Sequence, residues 1–216
     1  MPFFREVNPS AGVRAGIWHI TETADELQAL VHLTEAELTH LGSFRNDTRK
    51  KHWLACRALL RHLLAPYPAI ISYDENNKPF LPSGSHHISL SHAGEYAAAV
   101  YSKTSPVGID IEQLKDRVER VKDRFMQGSE LDSIVAEKRI EHLYIHWCGK
   151  EALYKLYGKP ELDFRNDIYI HPFNYLCNTN KACQATLILN GLPEEFRLFY
   201  DKMEGYMLVV AYYTAS

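Results

Sequence analysis

The sequence predicts an α+β fold, because segments with a helical repeat of apolar residues and segments with strand alternation occur in both halves of the chain. A strand, a group of helices and a hairpin are followed by a second strand, a long helix and a second hairpin. Of the 216 residues, 46% are hydrophobic and 24% are charged. That composition is typical of a globular protein and allows a sizeable core.

The first half begins with a loosely alternating segment, 13–20, that predicts a strand. Thr23 and Thr34 each precede acidic residues, and Thr34 and Glu37 have capping-box spacing, so two short helices are expected. Apolar residues at helical spacing over 46–64 predict a longer helix. A turn at 93–95 joins two alternating segments into a predicted hairpin that spans 88–101.

In the second half, residues 107–112 alternate and predict a strand. Ser129 is expected to cap a short helix. A long helix is predicted from about Arg139 to Tyr157, because Gly158 is a typical residue just after a helix end. The predicted strands that follow cover 183–189, 196–200 and 206–213.

Two carboxylates lie in the strand predicted at 107–112. Val107, Ile109 and Ile111 alternate with polar or small residues, so Asp110 and Glu112 point to the same face. Two residues along a strand span roughly 6–7 Å, and hard cations take oxygen ligands. The pair therefore indicates a site for Mg²⁺, although such a motif is also common on strand edges without any function.

The long helix carries a third carboxylate and two lysines. Glu151 and Lys155 are four residues apart and share a helical face with Trp147, while Lys150 lies on its flank. A metal and two ammonium groups suit a polyanionic phosphate ligand, because they neutralise charge at the reacting phosphorus. The alternative for this helix face is a solvated ion-pair surface.

Four sequence blocks occur in a characteristic order. They are Lys-Pro-Phe-Leu-Pro at 78–82, Ile-Ser-Leu-Ser-His at 88–92, Val-Gly-Ile-Asp-Ile-Glu at 107–112 and Trp-Cys-Gly-Lys-Glu-Ala-Leu-Tyr-Lys at 147–155. Together they resemble the 4'-phosphopantetheinyl transferases. The likeness covers about residues 45–160, and it is to the larger, single-chain kind that activates non-ribosomal peptide and polyketide synthases.

This resemblance implies a fold and a reaction. The fold is a pseudo-dimer of two similar α/β halves, 1–104 and 105–216, with the active site in the cleft between them. The reaction transfers the 4'-phosphopantetheine group of coenzyme A to a serine of an apo acyl or peptidyl carrier protein and releases adenosine 3',5'-bisphosphate. The metal ligands implied for Mg²⁺ are Asp110, Glu112 and Glu151.

Individual roles follow from the chemistry of the residues and from the resemblance. Glu151 is the expected base, kept ionised by Lys155, and Lys155 is a possible proton donor to the leaving phosphate. Arg57 is expected to meet the adenosine phosphate, although 34–39 lacks the further basic residues that the family often has. The residues expected to contact coenzyme A are Arg49, Arg57, Lys78, Pro79, Ser91, His92, Asp110, Lys150 and Lys155.

Several classes of function are not expected. The net charge of −3 disfavours a generally basic nucleic-acid binder. Cys56, Cys148, Cys177 and Cys183 form no C-x-x-C pair, so a zinc site is not expected. Without an apolar signal or a long apolar run, a cytoplasmic protein without a membrane span is expected, and it is expected to be a monomer.

Two other functions use the same residues. The carboxylates could serve a metal-dependent hydrolase of nucleotide pyrophosphates. A non-catalytic module that binds coenzyme A or a carrier protein is the third alternative. The presence of all three carboxylates and both lysines argues against this last one.

Overall fold

The computed structural model describes residues 3–67, 69–175 and 181–213, so Cys177 lies outside the described residues. Helices and antiparallel sheets are combined, which confirms the predicted α+β class. Among the described helices, none has both the length and the apolar composition that crossing a bilayer requires.

The first half of the chain builds a four-stranded antiparallel sheet, three helices and a small two-stranded sheet. Its elements are β1 (Phe3–Ser10), β2 (Val13–His19), α1 (Ala24–Ala29), α2 (Glu35–Ser43), α3 (Asp47–Leu64), β3 (Ser72–Tyr73), β4 (Pro79–Phe80), β5 (His87–Ala93) and β6 (Tyr96–Ser102). The strand order in the larger sheet is β1-β2-β6-β5, so β5 lies at one edge.

Local signals determine where these helices begin. The Thr34 hydroxyl accepts a hydrogen bond from the backbone N–H of Glu37, whose carboxylate accepts one from the backbone N–H of Thr34. The predicted capping box is therefore confirmed. The Asn46 side chain caps α3, and the apolar face of α3 packs on β2 and β6.

The second half repeats the combination of a sheet and a long helix. Its elements are β7 (Val107–Gln113), α4 (Val118–Val121), α5 (Gly128–Asp132), α6 (Arg139–Tyr157), β8 (Ile168–Ile170), β9 (Ala182–Leu189), β10 (Leu192–Met203) and β11 (Tyr206–Tyr213). The strand order is β7-β11-β10-β9-β8, and every pairing is antiparallel. Helix α6 packs on β7 and β11.

The two sheets meet along one edge of each. The backbone N–H of Ile109 donates to the Ser89 hydroxyl at 3.2 Å, and that of Ile111 donates to the Ser91 hydroxyl at 3.3 Å. Serine side chains of β5 thus satisfy backbone donors of β7 that a neighbouring strand would otherwise pair. Apolar residues of both sheets, Val100 among them, pack beside this junction.

Some elements differ from the sequence-based expectation. Strands β1 and β8 were not predicted, and β10 extends well beyond 196–200. Helix α5 begins at Gly128 with Gln127 as its N-cap, so the expected cap at Ser129 is wrong. The chain changes sheets between β6 and β7, whereas the similarity of the two halves stays a prediction.

Candidate active site

Strand β7 turns its carboxylates towards helix α6. A Cβ on Gly108 would lie 1.9 Å from the carbonyl oxygen of Ala152, so only glycine permits this close approach of helix and strand. Asp110 and Glu112 follow Gly108 at intervals of two residues and therefore share its face. This packing brings both carboxylates near the helical turn that begins at Glu151.

Asp110 is buried at the junction of the two sheets and is only 5% exposed. One carboxylate oxygen, Oδ1, accepts hydrogen bonds from the Ser91 hydroxyl at 2.8 Å and from the Lys155 ammonium at 2.7 Å. The other oxygen, Oδ2, is buried and has no hydrogen-bond partner among the described residues. A buried acceptor without a partner is costly, so this oxygen is suited to a ligand.

Glu112 and Glu151 are both partly buried near the negative charge of Asp110. Burial, followed by the charge of Asp110, raises the pKa of Glu112 above its ordinary value. Burial and the charge of Asp110 also raise the pKa of Glu151 to about 7, although Lys155 lowers it. The expectation that Lys155 keeps Glu151 ionised is therefore corrected, because burial and like charge outweigh the ammonium group.

These carboxylates have the chemistry of a metal site but are not gathered around one point. Over the described ranges 3–67, 69–175 and 181–213, no three His, Cys, Asp or Glu side chains are already arranged to hold a metal ion. The unpartnered Oδ2 of Asp110 and the raised pKa values of Glu112 and Glu151 nevertheless fit a hard cation, which would offset their repulsion. The magnesium site stays a prediction.

Lys155 supplies the positive charge nearest to Asp110, whereas Arg117 lies 3.6 Å from Glu112. Its ammonium group donates to the Ser91 hydroxyl at 3.0 Å, to the backbone oxygen of Ile109 at 3.2 Å and to Asp110. An ammonium group has three donors, so protein atoms accept all of them here. The side chain is still 30% exposed, and it lies in the wall of a large cleft.

Ser91 is buried and orients Asp110 and Lys155. Its hydroxyl donates to Asp110 and accepts from Lys155 and from the backbone N–H of Ile111. A hydroxyl has one donor and two acceptor positions, so its capacity is exhausted. In this structure the hydroxyl is used within the protein, and the contact of this side chain with coenzyme A stays a prediction.

A cleft of about 1090 Å³ extends from Lys155 across the first half of the chain. Helices α2 and α3, the loop 70–79 and strand β5 form its walls. It brings together most of the residues expected to contact coenzyme A. Those in its wall are Arg49, Arg57, Lys78, Pro79, His92 and Lys155.

His92 lies in this wall, stacked on a second histidine that the sequence did not single out. The rings of His52 and His92 are 4.3 Å apart and nearly parallel, and Nε2 of His52 lies 2.7 Å from the backbone oxygen of Gly94. Burial, followed by the charges of His52 and Lys155, lowers the pKa of His92 to about 4. The imidazole is therefore neutral at pH 7.

The two arginines of α3 that were expected to contact coenzyme A stack on aromatic rings. Arg57 is buried, its guanidinium carbon lies 3.2 Å from the centre of the Trp53 ring, and its Nε donates to Glu37 at 3.0 Å. Arg49 is exposed over the ring of Phe44. Stacking of this kind restricts the side chains and orients the guanidinium groups.

Lys78 connects the loop before β4 to the end of α6. Its ammonium group donates to the backbone oxygen of Leu156, and burial lowers its pKa. Gly158, with a φ of +77°, ends the helix against the Lys78 side chain, where a Cβ would lie 2.4 Å from Cδ. The lysine therefore lies in the cleft wall, with its ammonium group bound to the end of α6.

Lys150 is the clearest correction to the predicted site. It is fully buried on the far side of α6, and its ammonium group donates to Glu130 at 2.8 Å and to the backbone oxygens of Phe164 and Ile168 at 2.9 and 2.7 Å. All three donors are satisfied in the core, so Lys150 cannot neutralise a phosphate in the cleft. Its partner Glu130 was not predicted.

A comparison with known families finds one match. Residues 106–206 match the family described as the 4'-phosphopantetheinyl transferase superfamily. This segment includes Asp110, Glu112, Glu151 and Lys155.

Curated relatives carry the same description. The chain is 37% identical over 116 residues to the 4'-phosphopantetheinyl transferase AcpT of Escherichia coli O157:H7, which covers 51% of this chain and 59% of the relative. It is 30% identical over 145 residues to the 4'-phosphopantetheinyl transferase psf-1 of Bacillus pumilus, with 62% of this chain and 61% of the relative covered. For the 4'-phosphopantetheinyl transferase Sfp of Bacillus subtilis (strain 168), the identity is 29% over 92 residues, or 41% of each chain.

The likeness thus spans about three fifths of the length of the first two relatives. The family match and the described geometry involve the same side chains. On this evidence, residues 106–206 form a segment of the 4'-phosphopantetheinyl transferase superfamily.

Proposed function

We propose that this protein transfers the 4'-phosphopantetheine group of coenzyme A to a serine of an apo acyl or peptidyl carrier protein and releases adenosine 3',5'-bisphosphate. One observation carries the proposal: the cluster of Asp110, Glu112, Glu151 and Lys155 adjoins a cleft with a volume of about 1090 Å³ and cationic side chains in its walls. Ligand clefts of about 300–1,000 Å³ hold drug-sized molecules, so this volume suits a large nucleotide.

The carboxylates Asp110, Glu112 and Glu151 would hold Mg²⁺. The unpartnered oxygen of Asp110 and the raised pKa values of the other two support this assignment. Bound there, the ion would supply charge neutralisation at the pyrophosphate. The protein itself contributes position and electrostatic stabilisation, since phosphoryl transfer requires little covalent chemistry of its enzyme.

Glu151 is proposed as the base that takes the proton from the carrier serine. A serine hydroxyl is a weak nucleophile at neutral pH. Burial with neighbouring carboxylates raises the pKa of Glu151 to about 7 in the metal-free protein, and a bound Mg²⁺ would lower it, so that the carboxylate is ionised and able to accept a proton. Asp110 is less suited, because one of its oxygens already accepts two hydrogen bonds.

Lys155 is proposed to contact the phosphate that leaves with the nucleotide and to give it a proton. Its ammonium group lies in the cleft wall and is 2.7 Å from Asp110 in the described structure. Contact with the phosphate requires that the ammonium group exchange or share one of its three present acceptors. Arg49, Lys78 and His92 would hold the nucleotide farther along the cleft.

We infer further that the protein is of the larger, single-chain kind that serves non-ribosomal peptide and polyketide synthases, and that it acts as a monomer in the cytoplasm. The similarity to psf-1 and Sfp supports the first part of this inference. The resemblance of the blocks at 78–82 and 88–92 supports it as well.

The test is to incubate the protein with coenzyme A, Mg²⁺ and several apo carrier proteins, and to measure the carrier mass. We expect one phosphopantetheine to be added to each carrier, with equimolar release of adenosine 3',5'-bisphosphate. Glu151→Gln, which cannot accept the proton of the serine, should slow the transfer by about 10²–10⁴-fold. Glu137→Gln, which changes an exposed carboxylate just before α6, is its matched control. Free phosphopantetheine formed without any carrier would instead identify a pyrophosphate hydrolase.

A further inference from the structure

An ion pair lies in the wall of the cleft, on the side formed by α2 and α3. Oε1 of Glu37 accepts a hydrogen bond from Nε of Arg57 at 3.0 Å. Both residues line the cleft, yet their side chains are only 14% and 5% exposed. The pair is therefore shielded from solvent. Such a shielded ion pair is screened much less than an ion pair on the surface.

The Glu37 carboxylate is fixed in place by its second oxygen. Oε2 accepts hydrogen bonds from the backbone N–H and the hydroxyl of Thr34, at 3.1 and 3.2 Å. These bonds form half of the capping box that begins α2. Glu37 therefore cannot turn away from the cleft without giving up the cap of its own helix.

Arg57 is fixed as well. Its guanidinium group stacks on Trp53 while Nε binds Glu37. Of the cations in the cleft wall, Arg57 is thus the one whose charge is opposed by a carboxylate that also lines the wall. The neighbouring segment 34–39 contributes no lysine or arginine to this side of the cleft.

This arrangement is unfavourable for a phosphate monoester. The resemblance assigns Arg57 to the adenosine phosphate of coenzyme A, and a phosphate there would have to share the arginine with the Glu37 carboxylate, whose negative charge is shielded from water and held in place. We propose that Glu37 determines nucleotide specificity by disfavouring the 3'-phosphate, so that the protein accepts 3'-dephospho-coenzyme A about as well as coenzyme A. This inference rests on the proposed function, because it concerns the same cleft and the same nucleotide.

The experiment measures binding to the wild-type protein and to Glu37→Gln by calorimetry. Glutamine also occurs at this position of capping boxes, so the variant removes the charge and keeps the cap. The four probes are coenzyme A, 3'-dephospho-coenzyme A, adenosine 3',5'-bisphosphate and adenosine 5'-monophosphate. The last two repeat the comparison without the pantetheine arm. Glu35→Gln is the matched control, since it removes an equal charge from the first turn of α2 outside the cleft wall.

We expect the wild-type dissociation constants for coenzyme A and its dephospho form to agree within about threefold. In Glu37→Gln the preference should shift by about tenfold or more towards the ligand with the 3'-phosphate, because the opposing charge is gone. The same shift should occur for the bisphosphate relative to the monophosphate. Glu35→Gln should keep the wild-type ratio.

Two results would overturn the inference while leaving the proposed function intact. One is a wild-type preference of about thirtyfold or more for coenzyme A over its dephospho form. The other is an equal change of affinity for both members of each pair in Glu37→Gln, with transfer to a carrier still observed. If neither form of coenzyme A bound and no carrier were modified, the proposed function itself would fail, and this inference with it.

Discussion

Replacing Glu151 by glutamine should stabilise the cation-free protein at high pH but not at low pH. Burial, together with Asp110 and Glu112, raises the pKa of Glu151 from 4.5 to about 7. Between these two values the folded protein keeps a proton on Glu151 that the unfolded chain releases. The free energy of unfolding therefore falls as the pH rises through this range, and above about pH 7 the folded state carries the full destabilisation. Glutamine has no such titration.

The size of the effect follows from the shift. One pKa unit corresponds to about 1.4 kcal/mol, so a rise from 4.5 to about 7 corresponds to about 3.5 kcal/mol at most. The carboxyl group remains partly in contact with solvent, which screens its repulsion from the other carboxylates. We therefore expect Glu151→Gln to be more stable than the wild-type protein by about 1–2 kcal/mol at pH 8, and to show no such gain at pH 4.5.

Urea denaturation of both proteins, with a chelator present, measures this difference at several pH values. The comparison between variant and wild type cancels the titration of the other groups that are unchanged. Saturating Mg²⁺ should reduce or reverse the gain at pH 8, because the ion stabilises the wild-type protein by binding its folded state. Glu137→Gln provides the control at an exposed position.

A gain that is the same at pH 4.5 and pH 8 would refute this reasoning, since it would mean that the glutamine acts through packing. A pH-dependent gain that Mg²⁺ leaves unchanged would keep the raised pKa but remove Glu151 from the metal site. The two premises are therefore tested separately.

The carboxylates Asp110 and Glu112 should be needed to bind Mg²⁺. Replacing either by alanine should leave a folded protein that lacks Mg²⁺-dependent transfer, measured as carrier modification at limiting Mg²⁺. Full activity in a variant would exclude that residue from the site. Lys78→Ala and His92→Ala should weaken coenzyme A binding by calorimetry, since both residues line the cleft, and unchanged affinity in both would refute their assignment. Lys150→Met should destabilise the fold by about 3–5 kcal/mol in urea denaturation, because it leaves a buried carboxylate unpaired. A loss of coenzyme A binding without a loss of stability would contradict its assignment to the core.

The sequence alone was sufficient wherever the signal is local. The period of two along a strand places Asp110 and Glu112 on one face, and the side-chain hydrogen bonds of Thr34 and Glu37 are set by a spacing of three residues. The four blocks of the resemblance also predicted the family whose model matches residues 106–206. These features depend on residues close together in the chain, so their geometry follows from the secondary structure.

The position of Lys150 away from the cleft was partly predictable from the sequence. With 3.6 residues per turn, Lys155 lies about 40° around the helix from Glu151, whereas Lys150 lies about 100° away. That difference separates the two lysines, but it does not reveal which side of the helix faces the core. Glu130, which lies 20 residues earlier in the chain, determines this by pairing with Lys150.

Only the tertiary structure decided how each polar group is used. The Ser91 hydroxyl accepts a backbone hydrogen bond at the junction of the two sheets, and Arg57 is paired with Glu37. Glu151 lies near two carboxylates of β7. Each of these outcomes depends on a partner at least 20 residues away in the chain, and on burial that weakens the screening by water. The sequence determined which chemical groups are present at the site, and the packing of α6 and the two sheets determined their charge and their partners.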